Sequence, residues 1–261
     1  MRKAEVFKMS QIHSSVIAIS VIILVVLINS ANSALPSTIK VCSRNDPNVD
    51  QCIMDAVNHI RPNLASGDFG EGFTMPKIDP LYIEQMKMQR GKDFQVVVRK
   101  LNVYGNSAFQ LERLQSKPMN LSFDFVVNIP KSNFTGKYAL KMKLLMLDLQ
   151  GKGDLNGTMT NTRLAVRIRG YTEKIDGKEY ARFHRLGIRM KVESATFQLD
   201  NLFNGDPVLG QVGNQVINEN SRLFLNELIP GLEKNLRGIF TEIINNLLKT
   251  ATIDDMFPEY V

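Results

Sequence analysis

"NLSFDFVVNIPKSNFTGKYALKMKLLML", residues 120–147, is the stretch on which the fold turns. Leu121, Phe123, Phe125, Val127 and Ile129 alternate with mostly polar neighbours, the period of a strand that buries one face. Beyond "PKSNFTG", which reads as a hairpin turn, Tyr138, Leu140, Met142 and Leu144 resume the alternation. Downstream, "QGKGDLNG" (150–157) reads as a second, glycine-marked turn. "RLAVRIRGY" (163–171) then puts Leu164, Val166 and Ile168 on one face and Arg163, Arg167 and Arg169 on the other. "KIDGKEY" carries an Asp-Gly hairpin signal, and "FHRLGIRMKVESATFQL" continues the pattern. Residues 81–203 therefore predict a long antiparallel meander with one apolar face.

From Asp206 the apolar period changes to that of a helix. Asp206 suits an N-cap and Pro207 a first helical position. Val208, Leu209, Val212, Val216, Leu223 and Phe224 make one stripe. Pro230-Gly231 is expected to kink or break it. A second stripe runs through Leu232, Leu236, Phe240, Ile244 and Leu248 to about Lys249. Some 40 helical residues would span roughly 60 Å at 1.5 Å each, longer than a compact domain is wide. A helix that long beside one meander predicts an α+β fold, a long curved antiparallel sheet wrapped around a C-terminal helix. Upstream, Ile53, Ala56, Val57 and Ile60 predict a helix over Cys52–Arg61, limited by Pro62. The Pro- and Gly-rich segment 61–80 is expected to be extended.

The N-terminus bears on the compartment. Arg2, Lys3 and Lys8 precede an apolar run from Val16 to Ile28, and small residues Ala31 and Ser33 follow. That order predicts a secretory signal peptide over 1–33 and a single mature domain over 34–261. A retained anchor is the other reading, and the apolar run is short for one. Sequons at Asn120, Asn133 and Asn156 agree with export. Asn120 falls on the outward parity and the other two in the expected turns. Cys42 and Cys52, the chain's two cysteines, lack both the spacing of a redox pair and enough histidine partners for zinc. In an oxidising compartment a disulfide becomes the default, worth roughly 3 kcal/mol by loop closure.

The net charge is +6 over 261 residues. Residues 1–33 hold three of the cations and one of the anions, so the mature chain carries +4, which is no nucleic-acid signature. No G-x-S-x-G elbow is present, and the mature chain keeps two histidines, His59 and His184. An esterase acting on a bound ligand has only that general presence of Ser and His behind it, so the chain reads as a non-enzyme. His59 is expected packed or at a rim, with polar ligand anchor as the alternative; His184, among arginines, is expected in solvent. Neither a metal nor a cofactor is implied. The arginine-bearing strand face reads as a solvated surface, with contact to anionic lipid headgroups as the alternative.

Several segments resemble the insect takeout and juvenile-hormone-binding protein family. They are "CSRNDPNVDQCI" before the first helix, "MPKIDPLYI", "FTGKYALKMKLLMLDLQGKGDLN", "LDNLFNGDPVLGQVGNQVINEN" and the C-terminal "MFPE". In this order they span the mature chain. Ser221 and Arg222 stand where family members often carry Trp, and Leu147-Asp148 where Leu-Pro is common. The resemblance implies the tubular lipid-binding fold with an internal apolar tunnel. It also implies a secreted carrier of a juvenile-hormone-like terpenoid, fatty acid or similar lipid, with links to circadian output, feeding and behaviour. The inward residues then become candidate ligand contacts: Ile53, Val57, Phe123, Phe125 and Val127, with Tyr138, Leu140, Val216, Phe240 and Ile244. Partners are expected to be a small hydrophobic ligand and a receptor that the sequence does not identify. A membrane-surface lipid-transfer role is the alternative.

Overall fold

The computed structural model describes residues 35–70 and 72–260. The expected signal peptide lies outside the described residues. Two short helices, α1 (Val49–His59) and α2 (Arg61–Ser66), precede seven strands. These are β1 (Leu81–Arg90), β2 (Phe94–Tyr104), β3 (Gln110–Lys117), β4 (Ser122–Leu144), β5 (Leu147–Ile175), β6 (Lys178–Lys191) and β7 (Ser194–Leu199). Helices α3 (Pro207–Glu219), α4 (Ser221–Leu247) and α5 (Ile253–Met256) follow. All strand pairs are antiparallel.

β4 and β5, of 23 and 29 residues, form the spine of the sheet. They pair in a single register from Ser122↔Arg169 to Leu144↔Leu147, skipping only Pro130 and Asn161. At about 3.3 Å per residue they reach roughly 75 and 95 Å. β3 and β6 flank one half of this ribbon; β2 and β7 flank the other, with β1 outside β2. The sheet curls into a half-barrel, and α4 lies along its open side against both β6 and β1. The expected α+β architecture is the observed one.

Two expected turns are strand. "PKSNFTG" lies inside β4, and "QGKGDLNG" inside β5. In the first case a change of phase mimics a turn. Phe123, Phe125, Val127 and Ile129 face inward, and beyond Pro130 the inward set becomes Ser132, Phe134 and Tyr138. β5 changes phase at the same place, from Met159 to Thr162, across Asn161 with φ of 46°. The pairs Ile129↔Thr162 and Lys131↔Thr160 stay in register around this joint. In the second case the glycines serve close approach rather than turning. A Cβ on Gly153 would lie 2.2 Å from the Asp200 carbonyl oxygen, and one on Gly157 2.2 Å from that of Thr196. The actual turn between the two strands is Leu145-Met146.

The helices also correct two boundaries. Asp206 caps α3 as expected, its carboxylate accepting from the Val208 and Leu209 amides at 3.0 and 2.9 Å. The helix, however, breaks at Asn220 and runs on through Pro230. Gly231 is there for packing: a Cβ would sit 2.4 Å from Cγ of Met88 on β1. Tertiary packing keeps the helix continuous through a position that local propensity disfavours. The segment expected to be extended begins with α2, whose Pro62 occupies a first-turn position where no amide donor is needed.

Side chains of α3 and α4 seal the free sheet edges, which would otherwise present unpaired backbone groups. Asn214 both donates to and accepts from the Leu199 backbone, each bond 2.9 Å. Asn218 does the same with Phe197 at 2.8 Å, and Asn245 with Phe183 at 2.8 and 2.9 Å. Glu233, buried, accepts the Met190 amide at 2.9 Å and an Arg189 guanidinium donor at 3.1 Å.

Candidate functional site: an apolar cavity

A cavity of about 520 Å³ lies against β3, β6 and their stretches of β4 and β5, with Leu81, Ile83 and Met86 of β1 and Leu101 and Val103 of β2 completing its wall. Thirty residues line it; Asn106, Ser132 and Thr162 are polar and none is charged. The alternation of β4 and β5 aims Val127, Ile129, Leu164 and Val166 at it, and α4 closes the opposite side with Leu232 and Leu236. α1 covers one end. Its Asp50 accepts the Ser116 amide at 2.8 Å and the Ser116 hydroxyl at 2.5 Å, which fixes the helix against β3.

That end is clamped further by the N-terminal arm. Cys42 and Cys52 form a disulfide, so the arm is bonded to α1. Beside it, the Arg44 amide donates to the Pro258 carbonyl at 2.9 Å, and the Ser43 hydroxyl to that of Glu259 at 2.6 Å. Arg44 also pairs with Asp254. Phe257 then stacks on Phe123, ring centroids 5.8 Å apart. The C-terminal "MFPE" thus backs the aromatic wall of the cavity.

Seven expected contact residues come together on this cavity: Ile53, Val57, Phe123, Phe125, Val127, Phe240 and Ile244. Tyr138 and Leu140 do not join them. They sit in the other half, against a smaller void of about 100 Å³ that shares Met86, Leu101, Val103, Met159 and Leu232 with the large cavity. Val216 lines neither and packs against the core. His59 is exposed and lines no part of the cavity; His184 is exposed, its ring 5.5 Å from that of Tyr171. The side chains of Asn120, Asn133 and Asn156 are exposed, the last two on strands rather than turns. The wall residues that the sequence reading missed include Leu81, Ile83 and Met86 on β1, Leu101 and Val103 on β2, Leu111 and Leu114 on the short β3, and the polar trio. Apolar residues on one side of a bulged strand left too short a pattern to read, since β3 shifts register between Leu111 and Arg113.

Burial pushes the Tyr138 hydroxyl up to about 12, helped by the charge of Asp200. It is a locked neutral donor, bonded to the Asp200 carbonyl at 2.8 Å. Burial also pushes the Asp79 carboxyl up, but hydrogen bonds from Ser107 and from the Ser107 and Gly105 amides outweigh it and hold the group below its ordinary value. These bonds fix the chain next to Ile78 and Asn106, two wall residues. Arg113, Arg167 and Arg189 of the sheet and Arg237 of α4 edge a second depression of about 550 Å³ with one carboxylate, Asp124. Arg169 bonds that carboxylate at 2.6 and 2.9 Å and draws it below its usual value. Among the described residues no group of three or more His, Cys, Asp or Glu could hold a metal, and no helix is long and apolar enough to cross a membrane.

Comparison with known proteins agrees with this geometry. The sequence model of the haemolymph juvenile hormone binding protein family matches residues 21–258. The circadian clock-controlled protein daywake of Drosophila yakuba is 24% identical over 143 residues, 54% of each chain. Its Drosophila melanogaster counterpart matches to the same extent. The chain thus spans about half the length of these curated relatives. The crystal structure of Epiphyas postvittana Takeout 1 superposes with a TM-score of 0.70 at 19% identity, covering 83% of this chain and 98% of that one.

Proposed function

The chain belongs to the haemolymph juvenile hormone binding protein family, and on that premise we propose that it is a secreted carrier of a small hydrophobic ligand held in the cavity. The observation that carries this reading is a wall of thirty residues, three polar and none charged, around about 520 Å³. That volume lies within the range of small-molecule sites, which are mostly apolar with a few placed polar groups. Binding would draw on burial, at about 25 cal/mol per Å² of apolar ligand surface removed from water. A terpenoid or fatty-acyl chain suits such a wall. The carrier reading needs no catalytic group. It includes removal of residues 1–33, export of 34–261, and glycans on Asn120, Asn133 and Asn156. The names of the daywake relatives support a link to clock-controlled signalling. Native mass spectrometry of protein secreted from eukaryotic cells tests the reading. A co-purifying lipid, released by organic extraction, is expected. Ligand-free protein that also fails to take up added fatty-acyl or terpenoid esters would refute it.

A second reading is supported by the arginine-edged depression: docking on an anionic membrane surface during lipid transfer. Sedimentation with phosphatidylserine vesicles should then show salt-dependent binding that Arg113→Ala with Arg237→Ala weakens. Equal binding to neutral vesicles would remove it.

A further inference from the structure

The curled sheet is closed along two seams, where α4 meets β6 and where it meets β1. They are fastened differently. On the β6 side, Glu233 accepts the Met190 amide at 2.9 Å, and Asn245 exchanges two bonds with the Phe183 backbone at 2.8 and 2.9 Å. These bonds bracket Leu186 and Ile188, so that seam is tied along the cavity wall. On the β1 side, Asn235 donates to the Lys87 carbonyl at 3.2 Å and Arg90 pairs with Glu227, both within Lys87–Arg90. Over Leu81–Met86, whose Leu81, Ile83 and Met86 line the cavity, no hydrogen bond or ion pair reaches α4 among the described residues. The α1 end offers no such opening, since the disulfide and the bonds to the C-terminal segment hold it.

Beside the untied seam lies a groove of about 390 Å³. Phe73, Met75 and Pro76 form one bank, and Ile239 and Ile243 of α4 form the other. Its rim residues Tyr82 and Glu242 are exposed. Leu81 lines both the groove and the cavity, and Ile239 and Ile243 stand one position before the cavity residues Phe240 and Ile244. One side chain and one face of a helix therefore separate the apolar groove from the apolar cavity. Helix α4 is also weak at this level. Gly238 lies in its interior, and a Cβ there would meet nothing within 4 Å. Unlike Gly231, which Met88 requires, Gly238 serves no close approach, and glycine inside a helix weakens it relative to alanine. Segments with few hydrogen bonds and weak local structure open at lower free energy than the rest of a fold.

We propose that this groove is the entry site of the ligand and that the seam between β1 and α4 is its portal. An apolar chain docks against Phe73, Ile239 and Ile243. The part of α4 beyond Gly238 then swings away from β1, with the tied β6 seam as hinge, and the chain passes Leu81 into the cavity. This rests on the carrier reading and supplies its route. The groove lets the chain leave water before the cavity wall parts, so the opening need not expose the whole ligand.

The test bridges the seam. In the delipidated full mature chain, Tyr82→Cys is combined with Glu242→Cys, two positions on the groove rim and outside the cavity, and the pair is joined by a short bismaleimide. The same double variant capped with N-ethylmaleimide is the unbridged control. Uptake and release of methyl parinarate, a fluorescent polyene ester, are followed by stopped flow. The bridge is expected to slow both rates by about tenfold or more and to leave Kd where the capped control has it, because a barrier acts equally in the two directions. Gly238→Ala should slow both rates severalfold and raise the Tm by about 2–4 °C. Uptake as fast with the bridge as in the capped control would overturn the portal and leave the carrier standing. Failure of the wild-type chain to take up the ester would overturn both.

Discussion

Residues 134–144 of β4 face a packed interior, whereas residues 123–129 of the same strand face a cavity. Both stretches alternate apolar and polar side chains, and both lie against β5 on one side and a short strand on the other. The packed half is filled by rings. Phe197 meets Phe134 at 5.8 Å and Phe224 at 4.9 Å, and Tyr138 is bonded across to Asp200. Glycines bring the backbones together there: a Cβ at Gly151 would be 2.9 Å from Leu202 Cα, and those at Gly153 and Gly157 closer still to backbone oxygens. The hollow half carries rings too, Phe109, Phe123, Phe125 and Phe240, but Gly187 beside it has only ordinary contacts of 3.6 Å. Whether an apolar strand face becomes core or cavity is set here by the approach of neighbouring backbones, which the glycines at 151, 153 and 157 permit.

The sharpest way to break this contrast is to empty each half. Phe224→Ala removes a buried ring from the packed half and should cost about 3–5 kcal/mol in denaturant unfolding. Phe125→Ala enlarges an existing cavity and should cost about 1 kcal/mol, while changing ligand affinity. Equal losses would mean that the two interiors are not distinct. Next in size is the clamp at the α1 end. Cys42→Ser should lower stability by about 3 kcal/mol and reduce secreted yield. Unchanged melting and yield would show that the arm is dispensable.

Adding a methyl group probes the same contrast from the other side. Gly153→Ala should cost about 2–3 kcal/mol, because its Cβ meets backbone at 2.2 Å. Gly187→Ala should stay within about 0.5 kcal/mol. Thermal melts of the pair read this directly. The smallest effect is expected from acid. The Asp79 carboxyl titrates below its ordinary value in the folded chain. Its contribution is therefore complete above the unfolded value of about 4 and is lost as pH falls through the lower folded value. Hydrogen exchange at Gly105 and Ser107 should rise across that window, and Asp79→Asn should remove the pH dependence. Exchange that is flat across the window in wild type would contradict the role of the carboxylate.

Much of this architecture was legible. The phase of Leu164, Val166 and Ile168 gave the inward face of β5, and Asp206-Pro207 marked the start of the helix where it is. What misled was punctuation. Pro130 and the glycines of β5 look like turns because local rules assign them to turns, yet long-range pairing keeps both strands running. Pro230 looks like a break, and contact of Gly231 with Met88 overrides it. Of the expected contact residues, Tyr138, Leu140 and Val216 fell outside the large cavity for a related reason. Periodicity reports which face is apolar, and an apolar face is the same whether it meets a side chain or a space. Asn214, Asn218 and Asn245, the edge seals, carried a visible signal as polar residues on helices otherwise striped with apolar ones.

The central claim is that ligand occupies the hollow half and only that half. Photo-crosslinking with a fatty-acyl ester bearing a diazirine in its chain, followed by peptide mapping, tests it most directly. Displaceable label on residues 123–129 and 162–168, with none on 134–144 or 195–199, is the predicted result. Label concentrated on 134–144 and 195–199, or label that excess unlabelled ester does not displace, would contradict it.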